Sequence, residues 1–412
     1  MIIVGVGGGI AAYKACALVR HFTERGHDVR VIPTESALKF VGAATFEALS
    51  GNPVQTGVFE SVPEVPHVRL GQNADLVVIA PATADLMARA AQGRADDLLT
   101  GTLLTARCPV VFAPAMHTEM WEHPATRANV ATLRERGAVV IEPASGRLTG
   151  ADTGAGRLPE PDEIGALADV LLEHPGALRR DLEGRKVVVS AGGTKEALDP
   201  VRYLTNRSSG KQGYALARLA AQRGARVTLV AGNTVGLADP SAVEVVRIAS
   251  ALDLQAAMAE HAADADLVIM AAAVADYRPA DVATTKLKKG ADGRSEALES
   301  ITMIENPDVL AGLVAARREG ALRSESVIVG FAAETGDEGG TVLDYGRAKL
   351  RRKGCDLLVL NAVGDGRAFE VDENSGWLLG ADGGESALPL GSKTAMAARI
   401  LDAAAARVHA TR

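Results

Sequence analysis

The stretches "ADLVVIAPATAD", residues 74–85, and "ADLVIMAAAVAD", residues 265–276, decide the fold between them. Each opens Ala-Asp-Leu-Val, continues as an unbroken apolar run and closes Ala-x-Ala-Asp in the same register. A strand that is apolar on both faces must be covered on both, which is the environment of a parallel sheet flanked by helices. The small residues that follow suit tight packing of helix on sheet, and equally the approach of a ligand to the backbone at the carboxyl end of the strand.

Runs of the same kind surround each stretch. "IIVGV", "DVRVI", "PVVFA" and "AVVIEP" accompany the first; "KVVVSA", "RVTLVA", "VEVVRIA", "SVIVGF" and "DLLVLN" accompany the second. All alternate with segments of helical period, the pattern of α/β domains. Between the two sets, "EHPGALRRDLEGRK" is polar, is broken by Pro175 and Gly176, and follows the helical "EIGALADVLLE". A boundary is expected there. The expectation is two doubly wound, Rossmann-like α/β domains, residues 1–180 and 181–412, with a single enlarged doubly wound domain as the alternative. A chain of 412 residues is long for one core.

Composition narrows the function. A hydrophobic fraction of 47%, a charged fraction of 23% and a formal charge of -7 describe an ordinary globular chain without a basic footprint for nucleic acid. Aromatics at 3% leave few platforms for stacking bases. Cys16, Cys108 and Cys355 form no CxxC pair, which argues against a disulfide framework or a structural zinc site. Met1 leads straight into "IIVGV" and no apolar run has membrane-spanning length, so a cytoplasmic protein without signal peptide or membrane partner is expected.

In the first half, "VGVGGGIAAYKACALVR" reads strand, glycine turn, helix, aiming free N–H groups and a helix dipole at an anion. The dinucleotide fingerprint fails twice: Ile10 stands where its last glycine belongs, and "VIPTES" puts Pro33 and Thr34 where an acid would hold a ribose. A mononucleotide phosphate fits better than NAD. "PHVRLGQNAD" with His67, "APATADLMARAAQGRADDLLT" and "APAMHTEMW" converge on the same rim, with Pro81 and Pro114 expected to stop their strands. His67 or His117 alone reads equally as the partner of a backbone carbonyl. His123, near an expected surface turn, reads as structural.

"GGIAAYKA", "APATADLMARAAQGRADDLLT" and "PAMHTEMW" together resemble the flavin-dependent cysteine decarboxylase family, phosphopantothenoylcysteine decarboxylases in particular. The resemblance implies a flavodoxin-like domain with FMN on Gly8, Gly9, Ile10, Thr34 and the turn Pro81, Ala82, Thr83, Ala84. It also implies His67 as catalytic histidine. A simple carboxylate has no electron sink; oxidation of the substrate thiol to a thioaldehyde makes one, carbon dioxide leaves, and the enethiol is reduced by the cofactor. Two departures stand out. His117 replaces the family's asparagine, thought to grip the substrate carboxylate, and an imidazole can also donate a hydrogen bond. "GRLTGADTGAGR" puts Gly150 where the family's flap carries a proton-donating cysteine. His117, or water held near Asp152, is the expected donor instead. Cys16 and Cys108 read as small buried hydrophobes.

The second half repeats strand, glycine turn, helix, with an insertion before the helix. "TNRSSGKQGYALA" suits a phosphate, yet Thr205 and Gln212 depart from a Walker A loop, and a solvated helix start remains open. With "AAAVADYRP", "KLKK", "ENPDVL", "GFAAET" and "AKLRRKGCDLLVLN", this half resembles phosphopantothenate-cysteine ligases, so the whole chain resembles the bifunctional decarboxylase/ligase family of coenzyme A biosynthesis. The resemblance implies substrates 4'-phosphopantothenate, cysteine and CTP. CTP would turn the poorly electrophilic carboxylate into an acyl-cytidylate, and the cysteine amine would then displace CMP. Asn206 would hold that intermediate, Asp276 and Phe331 the nucleoside, and Pro307, Asp308, Val309 and Leu310 would offer backbone contacts. Lys286, Lys349 and Lys353 would neutralise the triphosphate, as point charges do in nucleotidyl transfer.

In isolation "KLKKG" reads as a solvated loop, and Lys349 with Lys353 as an exposed helix face. The glycine-rich "GADGRSEAL" is expected to be a mobile flap that orders on CTP. No metal cage is visible, so Mg2+ would arrive with the triphosphate. Homo-oligomers, trimeric through flavin domains and dimeric through ligase domains, are implied by the resemblance alone. A ligase carrying an inactive flavin-binding assembly domain is the alternative, and a nicotinamide oxidoreductase a distant one.

Overall fold

The computed structural model describes residues 1–55, 65–148, 152–288, 300–334, 336–337, 339–362 and 373–410. Gly150 and "GADGRSEAL" lie outside them. The chain divides into two compact units, Met1–Leu178 and Arg179–Arg412.

The first unit runs β1 (Ile2–Val6), α1 (Lys14–Thr23), β2 (Val29–Pro33), α2 (Ala43–Ser50), α3 (Pro66–Asn73), β3 (Leu76–Ala82), α4 (Ala84–Gln92), α5 (Leu98–Thr105), β4 (Val110–Pro114), α6 (Thr118–Glu122), α7 (Pro124–Glu135), β5 (Val139–Val140), β6 (Ala144–Arg147), β7 (Thr153–Arg157) and α8 (Pro161–Glu173). Its sheet is parallel in the order β2-β1-β3-β4-β5, the flavodoxin-like order, with its switch point between β1 and β3. The β1 and β3 runs are buried at every position because helices cover both faces. Ile3, Val77 and Ile79 pack with Leu86, Leu98 and Val130 from α4, α5 and α7, while α1 and α8 pack together. Pro81 does not end its strand: β3 continues to Ala82, and the β3/β4 register shifts between Ile79 and Ala82, where a proline costs no ladder hydrogen bond.

The second unit runs β8 (Lys186–Ala191), β9 (Lys195–Ala197), β10 (Tyr203–Thr205), α9 (Lys211–Gln222), β11 (Arg226–Ala231), β12 (Val243–Arg247), α10 (Ala251–Ala262), β13 (Leu267–Met270), β14 (Tyr277–Pro279), β15 (Met303–Glu305), α11 (Val309–Arg318), β16 (Val327–Glu334), α12 (Val342–Lys353), β17 (Leu357–Ala362), β18 (Glu373–Gly380), β19 (Glu385–Ser392) and α13 (Lys393–Ala410). The order β12-β11-β8-β13-β16-β17 is the parallel 3-2-1-4-5-6 arrangement of a Rossmann sheet, extended by antiparallel β18 and β19. The antiparallel hairpin β9/β10 is the insertion between glycine turn and helix. In α9, a Cβ on Gly213 would lie 2.5 Å from that of Ala191, so glycine lets this helix sit close on β8. No described helix is long and apolar enough to cross a membrane.

Candidate functional sites

In the first unit the glycine turn is closed by Gly7 N–H donating to the Pro81 carbonyl at 3.0 Å, which brings "GVGGGI" against "PATAD". A Cβ on Gly8 would fall 2.3 Å from the Ser36 Cβ, so this glycine answers to the loop after β2. Gly9 differs: a Cβ there would meet only Thr83 Cγ2, at 3.8 Å, and the space beyond is open. Thr83 caps α4, its hydroxyl accepting from Leu86 N–H, so a turn of backbone donors and a helix start share one rim. Thr34 is buried and already engaged, donating to the Val6 carbonyl at 3.3 Å and accepting from Ala37 N–H at 3.2 Å.

His67 lies in the first turn of α3, its ring packed over Gly101 of α5. Thr105 donates to the His67 carbonyl at 2.7 Å. Its Nδ1 is buried and has no hydrogen-bond partner among the described residues. A buried polar atom of this kind calls for a partner. Arg89 of α4 binds Asp85, Asp96 and Asp97, tying α4 to the capping box of α5. Burial alone would raise the Asp97 carboxyl, but Arg89 and Thr100 hold it below the usual range.

His117 stands at the N-cap position of α6, three residues past β4, without a side-chain capping bond, and its Nδ1 is 3.9 Å from Asp152 Oδ2. The hairpin β6/β7 is docked there: Met116 N–H donates to the Gly156 carbonyl at 2.9 Å and Thr118 to the Ala155 carbonyl at 2.7 Å. Gly156 has φ of +127°, and a Cβ would strike the Met116 carbonyl at 2.3 Å, so only glycine serves. His123 accepts from Ala125 N–H and caps α7. Burial pushes the Cys16 and Cys108 thiols up from their ordinary value. The open Gly9 backbone and the capped start of α4 fit a phosphate-bearing cofactor.

In the second unit a cavity of about 880 Å³ opens beyond the carboxyl ends of β13 and β16. Asn206, Asp276, Phe331, Lys349, Lys353 and the run Pro307–Leu310 all line it. Lys286 does not; it sits on an exposed segment after β14. Asn206 donates to the Val274 carbonyl at 2.9 Å, which ties the turn after β10 to the one after β13. Lys349 pairs with Glu334 at 2.7 Å, and Lys353 pairs with Asp308. Asp308 also caps α11, accepting from Ala311 N–H at 3.1 Å. Its burial would raise the carboxyl, but Lys353 and that N–H lower it. Both lysines, with Arg352, occupy the last turns of α12, where the helix dipole favours cations.

Sequence reasoning overlooked Asn306. It donates to the Ala275 carbonyl at 2.8 Å, accepts from Arg278 at 3.0 Å, and its N–H reaches the Asp276 carbonyl. Its signal was the Asn-Pro step inside "ENPDVL", a turn initiator.

The family models agree with this division. Residues 1–172 match the Flavoprotein family and residues 182–408 the DNA/pantothenate metabolism flavoprotein C-terminal domain. Fold and matches together define a flavoprotein domain joined to a pantothenate-metabolism domain. The chain is 70% identical over 402 residues to the coenzyme A biosynthesis bifunctional protein CoaBC of Mycobacterium bovis, covering 98% of this chain and 95% of that one. It is 43% identical over 403 residues to the CoaBC of Vibrio vulnificus, covering 97% and 96%. A crystal structure of a CoaBC C-terminal domain is 34% identical, with a TM-score of 0.45, covering 56% of this chain and 99% of that one. The chain belongs to the CoaBC family of bifunctional coenzyme A biosynthesis enzymes. It is an enzyme with a decarboxylase half and a ligase half.

Proposed function

We propose that the second unit joins cysteine to 4'-phosphopantothenate with CTP, and that the first unit, with FMN, converts the product to 4'-phosphopantetheine. The observation that carries the ligase half is the single cavity lined by Asn206, Asp276, Phe331, Lys349 and Lys353. The substrate carboxylate attacks the α-phosphorus of CTP and pyrophosphate leaves; the cysteine amine then attacks the acyl carbon, CMP leaves, and the amine proton goes to solvent. Lys349 and Lys353 exchange Glu334 and Asp308 for phosphate oxygens, Lys286 reaches the triphosphate from its exposed segment, and Mg2+ enters with the nucleotide. Asn206 orients the acyl group, Asp276 and Phe331 the nucleoside, and the start of α11 offers backbone N–H groups.

In the first unit, Gly8, Gly9 and Ile10 and the turn from Pro81 to Ala84 hold the FMN phosphate, with Thr34 supporting the turn rather than touching it. The flavin, when bound, would take two electrons from the substrate thiol, so that carbon dioxide can leave, and return them to the resulting enethiol. His67 offers to the bound substrate or cofactor its Nδ1, which is unpartnered among the described residues. His117 grips the substrate carboxylate and, backed by Asp152, delivers the proton that the flap cysteine gives elsewhere in the family.

The test is a mass spectrum of products after incubating the full chain with 4'-phosphopantothenate, cysteine, CTP and Mg2+ under reducing conditions. Phosphopantetheine is expected. Accumulated phosphopantothenoylcysteine would leave the flavin half inactive, and no product at all would remove the ligase assignment. His117→Ala should slow decarboxylation and final reduction about tenfold, since solvent can reach so exposed a site and partly replace the donor. Unchanged rates would take the role from His117. Lys349→Ala and Lys353→Ala should each lower kcat/KM for CTP about tenfold while sparing turnover of supplied phosphopantothenoylcysteine. Steady-state kinetics with CTP varied would show it.

A further inference from the structure

The loop from β9 to β10 turns on one buried carboxylate. Asp199 Oδ1 accepts the N–H groups of Val201 and Arg202, both at 2.8 Å, which is an Asx turn. Its Oδ2 faces the other way: it accepts Arg202 Nε at 3.0 Å and the N–H of Leu287 at 3.2 Å. Arg202 reaches on to the Leu287 carbonyl at 2.5 Å, and Ala283 N–H donates to the Leu198 carbonyl at 3.1 Å. The side chain of Asp199 is wholly removed from solvent. Burial would raise its pKa, yet the backbone and arginine donors bring it down to about 2. The group is therefore a carboxylate at any working pH.

Neither Asp199 nor Leu287 lines the cavity, but each stands next to a residue with a part in the chemistry. Leu287 follows Lys286 directly, and the Asp199 turn leads through β10 to Asn206. Lys286 is exposed, and its backbone is held by two hydrogen bonds to the next residue, Leu287. A flexible four-carbon stem swinging from a fixed point searches far fewer positions than one swinging from a loose strand.

We propose that Asp199 is a positioning residue of the ligase, latching the backbone beside Lys286 to the β9/β10 hairpin that leads to Asn206. This rests on the ligase roles given to those two residues. The two oxygens of Asp199 separate latch from fold. In Asp199→Asn the remaining oxygen can keep the turn, while the amide that replaces Oδ2 sets donors against the donors of Leu287 and Arg202.

The experiment uses the full chain and three variants: Asp199→Asn, Lys286→Ala and the double substitution. Ligase kcat should fall roughly ten- to hundredfold in Asp199→Asn, with KM for CTP within about threefold of the parent. The double variant should be no slower than Lys286→Ala. Losses that multiply, or a loss confined to KM, would overturn the proposal. Decarboxylation of supplied phosphopantothenoylcysteine by the same preparation should be unchanged, and its loss would mean general damage and count against a latch role. Independently of activity, backbone amide exchange over 283–288 should accelerate in Asp199→Asn while β8, β11 and β13 keep their protection. Unaltered exchange there would overturn the latch whatever the kinetics. A parent chain that makes no amide from CTP would instead refute the ligase reading, leaving the exchange data to decide the latch.

Discussion

Replacing Arg223 with methionine should cost the second unit about 3–5 kcal/mol and lower its melting temperature by on the order of 10 °C. Arg223 is fully buried; its guanidinium binds both oxygens of Asp181, with Nε 2.7 Å from Oδ1, and reaches Asp402 Oδ1 at 2.9 Å. It thereby fastens the start of the unit and α9 to α13, and His409 of α13 adds a 2.8 Å bond to the Asp181 carbonyl. Methionine would fill much of the volume but take from Asp181 and Asp402 the buried cation they share, leaving Asp181 only the more exposed Arg179 from this cluster. Adding Asp181→Asn should recover part of the loss, since one of the two carboxylates that shared the lost cation is then neutral. The acid side follows with a definite sign. Burial would raise the Asp181 carboxyl, yet Arg223 and Arg179 hold it below the ordinary value. Its contribution is therefore complete above about pH 4, where an unfolded aspartate is ionised, and fades as pH falls through the lower folded value. Calorimetry of the full chain, with flavin absorbance as a separate probe of the first unit, reads both effects. A transition that did not move would mean the clamp contributes nothing.

The parts legible in the sequence share one property, burial on both faces. The parallel strands of both sheets read as apolar runs because helices cover them, and β1, β3, β8 and β13 fall where those runs predict. The hairpin β18/β19 was not legible. It adds antiparallel strands at the sheet edge, with Gly376, Pro389 and the exposed Leu390 breaking the pattern, and nothing local distinguishes it from loop. The candidate site was legible where short motifs stay together, as in "PDVL", whose four residues all line the cavity. It was opaque where a role depends on distant backbone: Asp199 meets Leu287 across 88 residues of sequence. Gly8 shows the converse hazard. Its lack of a side chain answers to Ser36, whereas its neighbour Gly9 faces open space, so any hold of Gly8 on a ligand is through its backbone N–H. Thr34 likewise carries a ligand-like chemistry that local structure has already used.

Gly71→Val should abolish most decarboxylase turnover, by two orders of magnitude or more, while leaving the ligase reaction intact. Gly71 lies one helical turn beyond His67 on α3, at the point where that helix crosses α5. A Cβ there would stand 2.1 Å from Thr105 Oγ1, 2.7 Å from the Thr102 carbonyl and 2.9 Å from the Ala106 nitrogen. Thr105 can turn aside, but only by releasing the His67 carbonyl that it holds. The two backbone atoms cannot move without parting the helices. The valine methyl groups enlarge the wedge, at a cost of about 1–3 kcal/mol. Since His67 rides on this helix with its ring over Gly101, parting the helices moves a group whose placement matters at the scale of an ångström. Gly71→Ala should show the same defect more mildly, which ties the loss to added volume. Single-turnover carbon dioxide release from phosphopantothenoylcysteine measures the effect, and CTP-dependent amide formation by the same preparation reports on the other unit. Equal decarboxylation in parent and valine variant would mean that His67 does not depend on the α3–α5 crossing for its position.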